Sequence, residues 1–211
     1  PRTVKDIFFN SIEKGYRKAV TLANDSANNK VQLEKKWTHK NGKAKHIVNP
    51  HRSYSVFRDI ILAPHIQKHL EYLFPNKSVY VTHSKLSFKM SGLKQEWFPH
   101  QDSAYKIHNA TGYTVAVLLE KCDESNGTIL VYPRSHSKGK LKHKIVFAEE
   151  EKEPQIKVER MPNTTPCPIN GNEGDVFFFD LDTIHSSGVN KAGGYRCILI
   201  FEVEECTKFP L

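Results

Sequence analysis

Three residues of metal-binding type stand at informative spacings. His100 and Asp102 flank Gln101, and His185 lies far downstream before Ser186-Ser187-Gly188. In extended backbone, residues two apart project to one side, so the imidazole of His100 and the carboxylate of Asp102 converge. His185 follows the expected strand over residues 175–179, which makes it the leading third ligand. Two histidines and a carboxylate on one face of an octahedral ion leave three positions open, the arrangement of non-haem Fe(II) oxygenases. The same ligands also suit a zinc hydrolase. With 11 histidines in the chain, an H-x-D triplet also arises by chance, so further partners must decide.

Arg196 is one such partner. Residues 190–194 read NKAGG, a turn signal, so the runs on either side are expected to pair as a hairpin. With the turn centred between Lys191 and Ala192, Ser187 faces Arg196 across the ladder. Arg196 then lies two residues along from His185, roughly 6–7 Å away. A five-carbon diacid needs about that reach if one end chelates iron while a guanidinium grips the other. Ser187 would add a hydroxyl. A slip of one residue would turn Arg196 outward and leave it an ordinary exposed strand arginine.

A scaffold must position these groups, and 211 residues suffice for one compact domain. Helical spacing of Ile7, Phe8, Ile12, Tyr16, Val20 and Leu22 predicts a helix over residues 4–23. Residues 24–45 are polar and read as a mobile surface segment. A second helix is expected over 54–73, kinked or split at Pro64 and ended by Pro75. Short β-branched and aromatic runs follow at 79–88, 114–119, 128–132, 144–147, 175–179 and 195–203. Helices followed by strands without intervening helices suggest a helix-backed antiparallel barrel or sandwich. In the last run Arg196, Ile198, Ile200 and Glu202 share one face, and Cys197, Leu199, Phe201 and Val203 share the other. The apolar face needs a cover, which the N-terminal helices can supply. The expected organisation is a helical support over residues 1–78 and a β core over 79–211. Residues 138–172 read as an insertion across one end, a candidate lid.

Composition excludes several classes. Aromatic residues at 10% argue against disorder, and no stretch approaches the roughly 20 apolar residues of a membrane span. There is no signal-peptide apolar core, so a cytoplasmic location and no membrane partner are expected. Cys122, Cys167, Cys197 and Cys206 show no C-x-x-C spacing and read as reduced thiols. A net charge of +8 suits an anionic ligand or nucleic acid without naming either.

The segments WFPHQD (97–102), NGTILVYPRSH (126–136), GDVFFFD (174–180), IHSSGVN (184–190) and YRCILIFE (195–202) resemble, in order and spacing, the phytanoyl-CoA dioxygenase family. That resemblance covers residue 79 to the C-terminus. It implies a double-stranded β-helix (jelly-roll, cupin-like) core and oxygenation dependent on Fe(II), 2-oxoglutarate and O2. It implies that His100, Asp102 and His185 bind iron and serve catalysis, while Arg196 and Ser187 hold the distal 2-oxoglutarate carboxylate. Lys85 and Lys89 share a strand face; Lys85 is the expected further contact to 2-oxoglutarate, and Lys89 a candidate for substrate. Arg134, Tyr105 and Lys106 also flank the motifs as candidate substrate contacts. Two departures stand out: Arg134 replaces the glycine usual in P-G-S-H, and Val117 replaces a tryptophan common near the cofactor. Asp102 itself points to hydroxylation, because related halogenases carry Gly or Ala there.

The expected reaction is hydroxylation of a small polar metabolite, anionic or zwitterionic, such as an amino acid, a phosphonate or a biosynthetic intermediate, with release of succinate and CO2. A nucleic-acid demethylase is the alternative. Against it, the basic run at 138–144 lacks interleaved aromatics and is followed by acidic residues. A metal-dependent hydrolase or a binding protein on the same fold is a further alternative.

Overall fold

The computed structural model describes residues 4–25, 35–38, 44–106, 111–147 and 154–206. The chain opens with α1 (Val4–Asp25), strands β1 (Lys35–Thr38) and β2 (Ala44–Val48), a short α2 (Pro50–Ser53), α3 (Ser55–Ile61) and α4 (Pro64–Leu73). The expected helix over 54–73 is split at Pro64, which stands in the first turn of α4, where its missing N–H costs nothing. Ala63 before it is extended, as proline requires of its predecessor. Part of the supposed mobile segment is instead β1 and β2; residues 26–34 and 39–43 lie outside the described residues. Lys35 and Lys36 stand on β1, the edge strand of its sheet, where lysines mimic loop composition.

Strands make up the remainder: β3 (Val79–Met90), β4 (Trp97–His100), β5 (Gly112–Leu118), β6 (Ile129–Val131), β7 (His143–Phe147), β8 (Pro154–Val158), β9 (Cys167–Pro168), β10 (Val176–Asp180), β11 (His185–Ser187) and β12 (Tyr195–Glu205). A six-stranded sheet runs β1-β2-β3-β12-β5-β10, and a four-stranded sheet runs β4-β11-β6-β9. Every pairing is antiparallel. The two sheets face each other as a double-stranded β-helix.

Two apolar clusters fix this arrangement. On the outer face of the large sheet, Cys197, Leu199, Phe201 and Val203 pack with Leu86 and Phe88 against Ile12 and Leu22 of α1, Phe57 and Ile60 of α3, and Ile66 and Leu70 of α4. Between the sheets, Ala116, Leu118, Ile129, Ile169 and Ile198 form a second, smaller cluster. Alternation along β12 thus divides helix contacts from barrel interior, as its sequence predicts. Residues 138–172 contain structure of their own. β7 and β8 form a separate hairpin, and β9 joins the small sheet beside β6. Residues 148–153, which hold the acidic run EEEKE, lie outside the described residues.

The hairpin expected between β11 and β12 does not form. Both edges of β11 are occupied, by β4 and β6, and both edges of β12 by β3 and β5. Residues 188–194 therefore cross from one sheet to the other. Asn190 anchors that crossing by donating to the Lys89 carbonyl at 3.0 Å.

Candidate metal centre

Strand pairing brings the two histidines together. His100 closes β4, His185 opens β11, and the two are direct cross-strand partners with ring centroids 4.3 Å apart. Gln101 continues in extended backbone, and Asp102 opens a 3-10 turn over Asp102–Tyr105. The carboxylate consequently returns to the side His100 faces. Its Oδ1 lies 3.8 Å from His100 Nε2 and 3.6 Å from His185 Nε2.

Hydrogen bonds set the protonation of each ligand. Nδ1 of His100 meets the Phe98 carbonyl at 2.7 Å, and Nδ1 of His185 meets the Thr183 carbonyl at 3.1 Å. A carbonyl only accepts, so Nδ1 is the donor in both rings and Nε2 is the ring atom turned to Asp102. Thr114 Oγ1 donates to Asp102 Oδ2 at 2.6 Å, leaving Oδ1 to the centre. Burial, with His185 nearby, holds His100 well below the ordinary histidine value. Burial alone would raise Asp102, but His185, His100, Lys85 and the Thr114 hydroxyl together draw it below the ordinary carboxylate value. Three ligand-type atoms thus converge within 4.8 Å of one another, an arrangement that a divalent cation would complete. Neutral imidazoles and a carboxylate are a donor set that suits Fe(II).

Arg196 reaches the same cavity from the opposite sheet. It is 1% exposed and lines one pocket with His100, Asp102, His185, Ser187 and Ile200. Nη2 donates to the Gly127 carbonyl at 3.1 Å, Nη1 reaches the Ser87 carbonyl at 3.5 Å, and Nε has no partner. Gly127 follows a turn closed by a capping box between Asp123 and Asn126, and its φ of +76° explains the Asn-Gly pair in the sequence. Arg196 has no ion pair among the described residues. A fully buried guanidinium without an anion is costly, and the donor left over marks where an acceptor belongs.

The other expected site residues divide. Lys85 lines both this inner pocket and an outer cavity of about 570 Å3. Lys89, paired with Arg196 across β3 and β12, is buried and donates to the Gly188 carbonyl. Tyr105 and Lys106 line the outer cavity. Lys106 is held 2.6 Å from Glu202 and 2.7 Å from Glu204, so its charge is matched. Arg134 is exposed and lines neither cavity. Its φ of +61° accounts for the glycine usual there. Val117 packs outward with the helix-facing cluster; the inward neighbour on β5 is Ala116.

Several residues escaped the sequence reading. Glu202 and Trp97 line both cavities, and His83, Lys45 and Gln155 line the outer one. Burial raises Glu202, while Lys106 opposes that. Gln101 is wholly buried on the side away from the metal ligands. Its amide nitrogen donates to the carbonyls of Gly139 and Asp182, and its oxygen accepts from Leu141 N–H. Gln155 similarly accepts from Phe98 N–H and donates to the Glu96 carbonyl, tying β8 to β4. The inward register of β12 pointed to Glu202; nothing local in the sequence marks the two glutamines as braces.

The model of the phytanoyl-CoA dioxygenase (PhyH) family matches residues 13–198. No functionally curated protein matches the chain by sequence. Among solved structures, EctD from S. alaskensis with 2-oxoglutarate and 5-hydroxyectoine is 16% identical, with a TM-score of 0.73 over 92% of this chain and 68% of that one. AviO1 from Streptomyces viridochromogenes Tue57 is 18% identical, with a TM-score of 0.68 over 96% and 86% of the two chains. The epimerase SnoN, in complex with Fe3+, alpha ketoglutarate and nogalamycin RO, is 17% identical, with a TM-score of 0.71 over 94% and 75%. At these identities the likeness establishes the double-stranded β-helix fold. No helix among the described residues is long and apolar enough to cross a membrane. The family match and the His-Asp-His centre together identify the chain as a member of the phytanoyl-CoA dioxygenase family, an iron- and 2-oxoglutarate-dependent oxygenase.

Proposed function

We propose that this oxygenase hydroxylates a small polar metabolite, anionic or zwitterionic, that enters through the outer cavity. The observation that carries the cosubstrate assignment is the buried Arg196 guanidinium, with no ion pair among the described residues and its Nε unpartnered, in the same pocket as His100, Asp102 and His185. When bound, iron and 2-oxoglutarate supply an oxidant for a C–H bond, with succinate and CO2 released. The chain's own residues hold and shield that chemistry. His100, Asp102 and His185 bind the metal through Nε2, Oδ1 and Nε2. Arg196 and Ser187 fix the distal carboxylate, so the other end of the diacid is directed at the iron. Ile129, Phe179 and Ile200 wall the inner pocket and exclude water.

The small-molecule reading draws support from the relatives, since EctD and SnoN are both solved with small organic molecules. The chain acts as one catalytic domain in this reading, with Pro154 and Gln155 of β8 at the outer cavity. A reducing cytoplasmic setting suits both the four free thiols and an oxidisable metal centre. Anaerobic titration with Fe(II) and then 2-oxoglutarate tests the assignment through the visible charge-transfer band of the chelate. The band is expected in the wild type, lost in His185→Ala, and displaced to much higher 2-oxoglutarate concentration in Arg196→Ala. Tight zinc binding with no chelate band would move the protein to a metal-dependent hydrolase.

A further inference from the structure

The outer cavity holds charge that neither the metal nor the cosubstrate uses. Lys45, Lys85 and Lys106 line it, against the carboxylates of Asp102 and Glu202. Asp102 belongs to the metal centre, and Glu202 is matched by Lys106. Lys85 has no ion pair among the described residues. Its Nζ stands 5.0 Å from the Trp97 ring centroid, and Lys45 Nζ stands 5.6 Å from the same ring. An indole face attracts an ammonium without neutralising it. Charge walled by protein acts more strongly than in water, so an oxyanion that meets Lys85 at this ring gains more there than in bulk solvent.

Position favours the substrate as the source of that anion. Lys85 and Trp97 stand where the two cavities meet, beside His100 and Asp102, whereas Arg196 lies in the inner pocket alone. A diacid gripped by Arg196 and chelated at the metal already has both carboxylates occupied. An anion at Lys85 therefore comes from a second molecule at the edge of the metal centre. His83, on the same strand and facing the same cavity, registers the field there: burial, then Lys85 and Lys106, push it down to about 4.

We propose that the substrate carries a carboxylate or phosphate-ester oxyanion that seats on Lys85 beside Trp97, with Lys45 as a second cation. Lys85 is then a specificity-determining residue for the substrate and not a contact to 2-oxoglutarate. The inference rests on the iron and 2-oxoglutarate reading above, and its test separates the two.

Metal-free protein is titrated with inorganic phosphate and, in a parallel arm, acetate, while tryptophan fluorescence is followed. Trp97→Phe identifies the signal, since Trp37 is the other tryptophan. A saturable change is expected, and the tighter of the two anions names the substrate's group. Lys85→Met should weaken that anion at least about tenfold, Lys85→Arg should restore it, and Arg196→Met should leave it unchanged. The chelate band of Lys85→Met should form at the wild-type 2-oxoglutarate concentration. No saturable change with either anion overturns the proposal, as does binding that survives Lys85→Met or is lost in Arg196→Met. Weakened 2-oxoglutarate binding in Lys85→Met would return that lysine to the cosubstrate. A wild type that binds phosphate yet forms no chelate band would sink the oxygenase reading and leave the anion site standing.

Discussion

Outward from β12, Cys197, Leu199, Phe201 and Val203 press into the layer of α1, α3 and α4; inward, Arg196, Ile198, Ile200 and Glu202 face the barrel interior. The outward face is satisfied by dispersion and burial, which depend on volume and ignore partner identity. The inward face mixes two apolar residues with a buried cation and a buried carboxylate, and such groups are tolerated only when something specific meets them. Glu202 finds Lys106 within the protein, whereas Arg196 finds two carbonyls and, among the described residues, no ion pair. One strand thus carries stability on one side and an incomplete ligand site on the other. Substitutions on the two faces should therefore fail differently.

The sharpest break is at the metal. His185→Ala removes one of the three ligand atoms, and 2-oxoglutarate turnover should fall below detection together with the chelate band. Arg196→Met comes next. Removing one partner of a buried charged pair costs about 2–5 kcal/mol, so 2-oxoglutarate affinity should fall by at least about thirtyfold. Without ligand, and below about pH 7 where Glu120 keeps its proton, the same variant should melt no lower than the wild type, because it deletes a buried cation with no ion pair among the described residues. Phe201→Ala, five residues along on the other face, should do the reverse. A Phe truncated in a packed core costs about 3–5 kcal/mol of stability, and 2-oxoglutarate affinity in the fraction that remains folded should be unchanged. Denaturant unfolding beside chelate titration reads both effects. Equal losses of stability in the two variants would erase the distinction between the faces.

What was legible in the sequence follows the same division. Alternation along β12 is a local, period-two signal, and it placed both faces correctly. Pro64 splits a helix by its own covalent chemistry, and the H-Q-D triplet brings two ligands together within three residues. Arg196 was placed in the right cavity through the wrong geometry. NKAGG reads as a hairpin turn, but which strand edges remain free depends on β3, β4, β5 and β6, all distant in sequence. The outer cavity was harder still. Lys45 lay in a segment read as a mobile loop, while Trp97 and Glu202 come from strands in different sheets.

Support behind the ligands gives a smaller, graded effect. Thr114→Val keeps the shape of the side chain and removes the donor to Asp102 Oδ2. Losing an outer-shell partner of this kind typically costs 10–100-fold in metal affinity, so Fe(II) binding should weaken by about that factor. Thr114 is on β5, beside Glu202 of β12, and its hydroxyl reaches into the inner pocket. Folding stability should change little, since the hydroxyl's partner among the described residues is a metal ligand. A variant that loses stability and not iron would place Thr114 with the packing residues.

The smallest expected effect concerns Glu120, where the two faces meet behind Arg196. Its Oε1 accepts from the Cys197 N–H at 2.5 Å, and burial raises the carboxyl to about 7, against the opposing pull of that hydrogen bond and of Arg196. Because this acid titrates higher in the folded chain than the ordinary 4.5, the native state holds a proton that the unfolded state has released between those values. Stability therefore falls as pH rises through that interval and levels off above about 7. Glu120 is partly exposed, so the slope should be shallow. Glu120→Gln keeps an oxygen for Cys197 and cannot ionise, so unfolding measured from pH 5 to pH 8 should lose this slope while the Thr114 and Arg196 effects persist. Arg196→Met should steepen it, because the cation that stabilises ionised Glu120 is gone. A slope unchanged in both variants would mean that Glu120 does not sense the guanidinium, and that the charge on the inward face is not transmitted to the outward one.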